Sequence, residues 1–292
     1  MKLKTFLLWN AFFIATWVCG QTKPFNPKHS LDDISISQWT SADGLPSNNT
    51  NSVFQDSNGL IWITSNNGFM IYDGERIETY DKNRLLFLKN DGFYNIAENQ
   101  TGVIYLASKG DGLVQYKEGI FSLYKPKGVE IPKSIRSIYV ASDSSLYFGS
   151  NQDGLFRIKN DSAYKVTSAL FDKSMITAIV EDDDKSIWFG SEGNGLTRVT
   201  NDQIRNFNVT HQLLSNDVIS LSNYAGRLYI GTTKGLQWLD DDLVLHEVPA
   251  LKDKYINSLL IDSWGMIWVG SEQGVARWNQ KIDQLEWLTS KH

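Results

Sequence analysis

The densest chemistry-bearing stretches are two runs of carboxylates, Glu181-Asp182-Asp183-Asp184 and Asp240-Asp241-Asp242. Asp oxygens are ligands that calcium accepts, and two acids at a suitable separation hydrolyse glycosidic bonds. Both runs fall at strand-to-strand turns, where solvated acids are ordinary. Asp56-Ser57-Asn58-Gly59 echoes the opening of a calcium loop, but the downstream Glu of such a loop is missing. A histidine base or metal site would have to draw on His29, His211, His246 and His292, which neither repeat nor keep ligand spacing. The reading is therefore no catalytic residue, no metal and no cofactor.

The bulk composition permits a large core. The chain has 292 residues, of which 41% are hydrophobic and 12% aromatic, with a formal charge of −5. No long basic run is present, so a surface that tracks phosphates is excluded and no nucleic-acid partner is expected. Lys2 and Lys4 precede an apolar stretch from Phe6 to Val18 that ends at Gly20. That is the pattern of a secretory signal peptide over residues 1–20, which predicts a periplasmic or extracellular location, with 21–33 as a linker. Cys19 is the single cysteine, so the mature chain would hold neither a disulfide framework nor a thiolate site.

The elements that must position any site follow from an internal repeat. Trp62, Tyr105, Tyr147, Trp188, Tyr229 and Trp268 sit at matching places in short apolar segments, 39 to 43 residues apart. In the first copy an inner strand, 52–55, leads through Asp56–Gly59 to the anchor strand 61–65. Strands at 69–72 and 77–80 follow. Asp, Asn and Gly occupy the tight connections because they tolerate positive φ, and β-branched and aromatic residues fill the strands. The third strand of every copy begins at a glycine followed by an apolar residue, from Gly68-Phe69 to Gly274-Val275. Four short antiparallel strands repeated six times predict an all-β fold, a β-propeller over residues 34–292, with the six aromatic anchors packed between blades.

One more strand, 34–39, precedes the first complete blade, while the sixth blade has its own fourth strand at 285–288. The end of the chain aligns with its start, Leu288-Thr289-Ser290 against Trp39-Thr40-Ser41. The expectation is six complete blades plus an N-terminal strand from an interrupted, seven-bladed ring whose parent chain continues. The competing reading is a six-bladed ring with a redundant strand. A piece of a larger ring would expose two apolar blade faces that invite association as a homodimer.

The loop Asp43-Gly44-Leu45-Pro46-Ser47-Asn48, the Asp56–Gly59 turn and the anchor strand running on to Gly68 resemble the two-component regulator propeller repeat. The resemblance covers residues 34–292, although the third copy lacks the turn glycine after Asp143 and several copies replace the anchor Trp by Tyr. It implies the periplasmic sensor region of a hybrid two-component system or sensor histidine kinase. Such a region binds a glycan fragment or similar nutrient and signals through a following β-sandwich and kinase of the same parent chain. A polysaccharide lyase or hydrolase and a protein-interaction scaffold are the alternatives.

In a propeller, the loops entering each blade and those between its second and third strands share one rim. Asp43, Asn48, Asn66, Asn67, Lys109, Asp111, Asn151, Gln152, Asp153, Glu192, Asn194, Lys234, Glu272 and Gln273 are placed there as candidate contacts for a small-molecule or oligosaccharide ligand. The two acidic runs are expected on the opposite rim.

Overall fold

The computed structural model describes residues 30–31, 38–200 and 203–288. The segment expected to be a signal peptide, most of the linker and the greater part of the expected strand at 34–39 lie outside the described residues. Gln38 and Trp39, which are described, are not in a strand. Thr40 instead caps a 3-10 turn at Ser41–Asp43, and Gly44 closes it with φ of 106°.

The six copies fold as six sheets, each in simple up-and-down order. The first contains β1 (Thr50–Gln55), β2 (Ile61–Ser65), β3 (Gly68–Tyr72) and β4 (Ile77–Tyr80), and the second β5 (Phe93–Glu98), β6 (Ile104–Ser108), β7 (Leu113–Lys117) and β8 (Ile120–Tyr124). A short β9 (Lys127–Gly128) precedes the third sheet of β10 (Ile135–Val140), β11 (Leu146–Ser150), β12 (Leu155–Lys159) and β13 (Ser162–Val166). The fourth holds β14 (Ile176–Glu181), β15 (Ile187–Ser191), β16 (Gly195–Val199) and β17 (Ile204–Phe207). The fifth holds β18 (Val218–Tyr224), β19 (Arg227–Thr232), β20 (Gly235–Leu239) and β21 (Leu245–Glu247), and the sixth β22 (Ile256–Ile261), β23 (Ile267–Ser271), β24 (Gly274–Asn279) and β25 (Gln284–Leu288).

The third blade departs from the expected four strands. β9 adds to its outer edge, pairing in parallel with β13 through Ser162 and Ala163. Gly128 makes this approach possible, because a Cβ there would lie 2.4 Å from the Ala163 carbonyl oxygen.

The core lies in the seams between blades. Trp62 and Phe69 of blade one meet Phe93, Ile96, Ile104, Leu106 and Val114 of blade two. Tyr229 and Leu236 of blade five meet Ile256, Ile267, Val269 and Ala276 of blade six. Burying an aromatic or aliphatic side chain of this kind contributes about 1.5–3 kcal/mol, which a blade obtains only from its neighbour. First strands pack on first strands from β1 through β5, β10, β14 and β18 to β22. No packing of similar extent joins β22 to β1 among the described residues.

The anchor tryptophans share a device that blade two repeats with an amide, Asn99 accepting the Thr101 and Val103 N–H groups and pairing with Tyr105, and that blades three and five lack. Trp62 Nε1 donates to Asp56 Oδ2 at 2.9 Å, Trp188 to Asp182 at 2.7 Å and Trp268 to Asp262 at 2.9 Å. The same Asp56 carboxylate accepts the backbone N–H groups of Asn58 and Leu60. One acid thus closes the turn and satisfies the indole N–H that burial would otherwise leave without a partner. In blade three Ala141 takes this acid's place in the turn. In blade five a tight turn at Ala225-Gly226 replaces it, and the Tyr229 hydroxyl reaches Gln280 of blade six at 2.5 Å.

The glycine that precedes each third-strand apolar residue has positive φ in all six blades, from 75° at Gly195 to 138° at Gly235. The reason is close approach as well as chain reversal. A Cβ at Gly154 would lie 2.3 Å from the Phe171 carbonyl oxygen.

Candidate functional site

The expected binding rim is held by backbone hydrogen bonds between its two kinds of loop. Lys109 N–H donates to Gly92 at 2.8 Å, Gly112 to Lys133 at 2.7 Å, Glu192 to Met175 at 3.1 Å and Gly195 to Asn216 at 2.8 Å. Thr233 donates to Asp217 at 3.2 Å and Asp253 to Lys234 at 3.0 Å. The expectation that the second-to-third-strand loops and the blade-entry segments share one rim therefore agrees with their contacts.

Many of the predicted residues are engaged in holding this rim. Asp43 caps the 3-10 turn through Thr40, and the Thr40 hydroxyl and N–H together draw its carboxyl below the usual range. Asn48 accepts the Ser41 N–H at 2.7 Å. Asp111 accepts the N–H groups of Lys89 and Asn90 at 3.1 and 2.8 Å. Asn151 and Asn194 donate to Ser134 and Ser174. Gln152 and Asp153 are tied by their backbone to Ser150, Asn67 to Ser65 and Lys234 to Thr232. Gln273 accepts from Lys254 at 2.5 Å, while Glu192 and Glu272 lie exposed on their loops.

Asn66 and Lys109 behave differently, because the fold brings them together with residues that the sequence reading passed over. Each first strand carries a β-bulge after its opening residue, which leaves Asn51, Tyr94, Arg136, Thr177, Ile219 and Asn257 without a partner in the register. A bulge re-aims one side chain and is common beside binding sites. Here it produces one such residue per blade at the rim end of the innermost strands. Asn51 Nδ2 donates to Asn66 Oδ1 at 3.1 Å and to the Phe93 carbonyl at 2.7 Å. Lys109 Nζ also donates to Asn66 Oδ1. The Lys109 ammonium lies 4.4 Å from the Tyr94 ring centroid and the Arg136 guanidinium 4.5 Å from it, both in cation–π range. Blades one to three thus share a cluster of two amides, one aromatic ring and two cations. The bulge itself is not a sequence pattern. The usable signal was positional: in blades two to six each of these residues directly follows the buried residue that opens its first strand, as in Phe93-Tyr94, Ile135-Arg136 and Ile176-Thr177.

The acidic runs expected on the opposite rim are closer to each other than the sequence suggested. Asp182, Asp183, Asp184, Asp240 and Asp241 line one small cavity between blades four and five, with Arg198 and Asn223. Its acids have partners. Asp183 accepts from Asn223 and from the Gly226 N–H, both at 2.9 Å, and Arg198 lies 3.4 Å from Asp182 and 3.6 Å from Asp184. The His246 hydrogen bond draws the Asp240 carboxyl below the usual range. His246 also stacks on Trp238 at 3.9 Å, on the outer edge of blade five. His211 rests against Asn208 in a 3-10 turn. No group of three or more acidic, His or Cys side chains is arranged to hold a metal ion among the described residues.

Three stretches of the chain, 44–67, 170–193 and 250–273, match the model of the two component regulator propeller. Each ends just beyond one of the three tryptophan anchors. No curated protein matches the chain. Among solved structures, the extracellular domain of a hybrid two component system from B. thetaiotaomicron is similar with a TM-score of 0.69 at 22% identity. That likeness covers 83% of this chain and 33% of the other, so the chain spans about a third of that domain's length. Virginiamycin B lyase from Staphylococcus aureus gives a TM-score of 0.67 at 13% identity over 84% of this chain and 85% of the lyase. PorZ, a surface component of the type-IX secretion system of Porphyromonas gingivalis, gives 0.67 at 14% over 88% of this chain and 43% of its own. At these identities the likenesses establish the propeller fold alone. Three of the six repeats of this chain are thus two-component regulator propeller repeats.

Proposed function

We propose that this chain is an exported ligand-binding sensor module of a two-component receptor and that it takes a glycan fragment or similar nutrient at the rim of its blades. The observation that carries this reading is the cluster of Asn51, Asn66, Tyr94, Lys109 and Arg136, built from three blades on the rim where both loop types meet. Amides, cations and an aromatic ring suit hydrogen bonding and stacking with a small polar ligand. The family repeat supplies the receptor context. The apolar stretch from Phe6 to Val18 supports export to the periplasm or beyond. Signalling would pass to a β-sandwich and kinase of the same parent chain.

The ring is proposed to continue past six blades. Val275 follows the third-strand glycine of blade six and is 39% exposed, whereas Phe69, Leu113, Leu155, Leu196 and Leu236 at the same position are fully buried by the next blade. On the other flank Thr50 is exposed where Phe93, Ile135, Ile176, Val218 and Ile256 are fully buried. Flanks of this kind are completed by a seventh blade.

A glycan panel read by both thermal shift and product formation tests the sensor reading. Saturable stabilisation by one glycan without turnover is the expected result. Release of product would overturn the reading in favour of a propeller lyase or hydrolase.

A further inference from the structure

Arg136 makes no hydrogen bond or ion pair within the described residues, although its guanidinium is held 4.5 Å from the Tyr94 ring centroid. Lys109 shares the same ring and donates to an amide oxygen, not to a carboxylate. The acid nearest in sequence, Asp111, is committed to the backbone of Lys89 and Asn90. The contrast with other arginines is informative. Arg84 is paired with Glu78, Arg157 with Asp143 and Arg277 with Glu286. In a chain of net charge −5, two cations held at one ring with no acid within ion-pair distance of either among the described residues would both be stabilised by a bound anion.

Both cations are also fixed in place. The Arg136 guanidinium lies 4.5 Å from the centroid of the Tyr94 ring, its neighbour in the row of bulge residues. The Lys109 stem lies against Gly92, where a Cβ would come within 2.5 Å of Lys109 Cδ and 2.9 Å of Cγ. Lys109 N–H donates to the Gly92 carbonyl at 2.8 Å, which fixes the base of the same side chain. A fork of guanidinium donors accepts a carboxylate or sulfate in a bidentate manner, an ammonium adds a point charge, and holding both in advance lowers the entropic cost of binding.

Building on the sensor reading above, we propose that the cluster of bulge and loop residues on the rim of blades one to three is an oxyanion site and that the ligand is an acidic sugar. Its carboxylate or sulfate is clamped between Arg136 and Lys109, with Asn51 and Asn66 as hydrogen-bonding neighbours. A neutral sugar would leave both cations unsatisfied and forfeit the largest part of the recognition.

Calorimetric titration of the full chain distinguishes the possibilities. The probes are a uronate disaccharide, its neutral methyl ester, a sulfated disaccharide and a neutral disaccharide, each at low and high salt. Binding of the uronate or the sulfated sugar is expected to be at least tenfold tighter than that of the neutral probes and to weaken with salt. Arg136→Gln and Lys109→Met are each expected to lower that affinity about tenfold or more while leaving the thermal midpoint unchanged. Gly92→Ala is expected to produce a smaller loss by displacing the Lys109 stem. Preference between carboxylate and sulfate identifies the source of the oxyanion. Equal binding of acidic and neutral sugars, or acid binding insensitive to both substitutions, overturns the oxyanion site and leaves the sensor reading standing. Absence of binding by every probe overturns the oxyanion site, while the wider glycan panel decides the sensor reading separately.

Discussion

Trp62 and Trp268 occupy the same position in the first and last blades, and their local settings are nearly identical. Each indole donates at 2.9 Å to the Asp six residues earlier, and each Asp closes the same kind of turn. Their burial differs. Trp62 is fully buried between blades one and two, where Tyr116 and Phe121 meet it edge-on at 5.4 and 6.3 Å. Trp268 is half-buried, and beside it Leu260 is 65% exposed. The repeat dictates the hydrogen bond, and the neighbouring blade supplies the hydrophobic energy.

The largest expected effect follows directly. Trp62→Ala should cost about 3–5 kcal/mol of unfolding free energy, the range for emptying an aromatic site in a closed core. Trp268→Ala should cost distinctly less in parallel urea titrations, and equal losses would break the comparison. The turn acids should rank next. Asp56→Ala removes the acceptor of a fully buried indole N–H and should cost about 1–3 kcal/mol, with a smaller loss for Asp262→Ala at the more accessible site. Thermal midpoints of the two variants, measured side by side, check the order.

Blade three supplies a pH-dependent version of the same contrast, because its acid pairs outside the turn. Burial alone would raise the Asp143 carboxyl. Hydrogen bonds from Lys159 and Ser145 and the Arg157 charge outweigh it and hold the carboxyl well below its ordinary 3.8. A group lowered in the folded state contributes its full stability above the unfolded value and loses it as pH falls through the folded value. Wild type should therefore exceed Asp143→Asn in stability by a constant margin above about pH 4, and the margin should shrink below it. The pair is partly exposed, so the margin should be small and reduced by salt. A margin that grows on acidification would contradict this assignment.

The smallest expected effect is at the open flank. Val275→Ser should change stability by no more than about 0.5 kcal/mol, as at other surface positions. Leu236→Ala, at the equivalent place in a closed seam, should cost about 2–5 kcal/mol. If the flank is covered in a longer parent chain, Val275→Ser should become costly there, which a matched pair of denaturant curves would reveal.

The candidate site shows the same division between local and long-range information. Asn66 and Lys109 were legible because loop position alone places them on the rim. Asn51, Tyr94 and Arg136 were not, because a bulge is defined by pairing with the next strand and leaves no composition of its own. Asp111 and Asn48 read as free rim groups but are held by the backbone of a neighbouring loop, a contact that spacing along the chain does not encode. The meeting of Asp182–Asp184 with Asp240 and Asp241 was hidden for the same reason, since it arises where blade four packs on blade five.

The sequence by itself determined the number of blades, their four-strand pattern, the positive-φ glycines and the anchor positions. These follow from alternation, turn chemistry and a fixed period, all of which act over a few residues. The tertiary structure alone decided which anchors are fully buried, how the bulges gather Tyr94, Lys109 and Arg136, and that β9 joins the third blade. Each of these depends on which surfaces meet across a seam, and burial and charge take their values from that meeting.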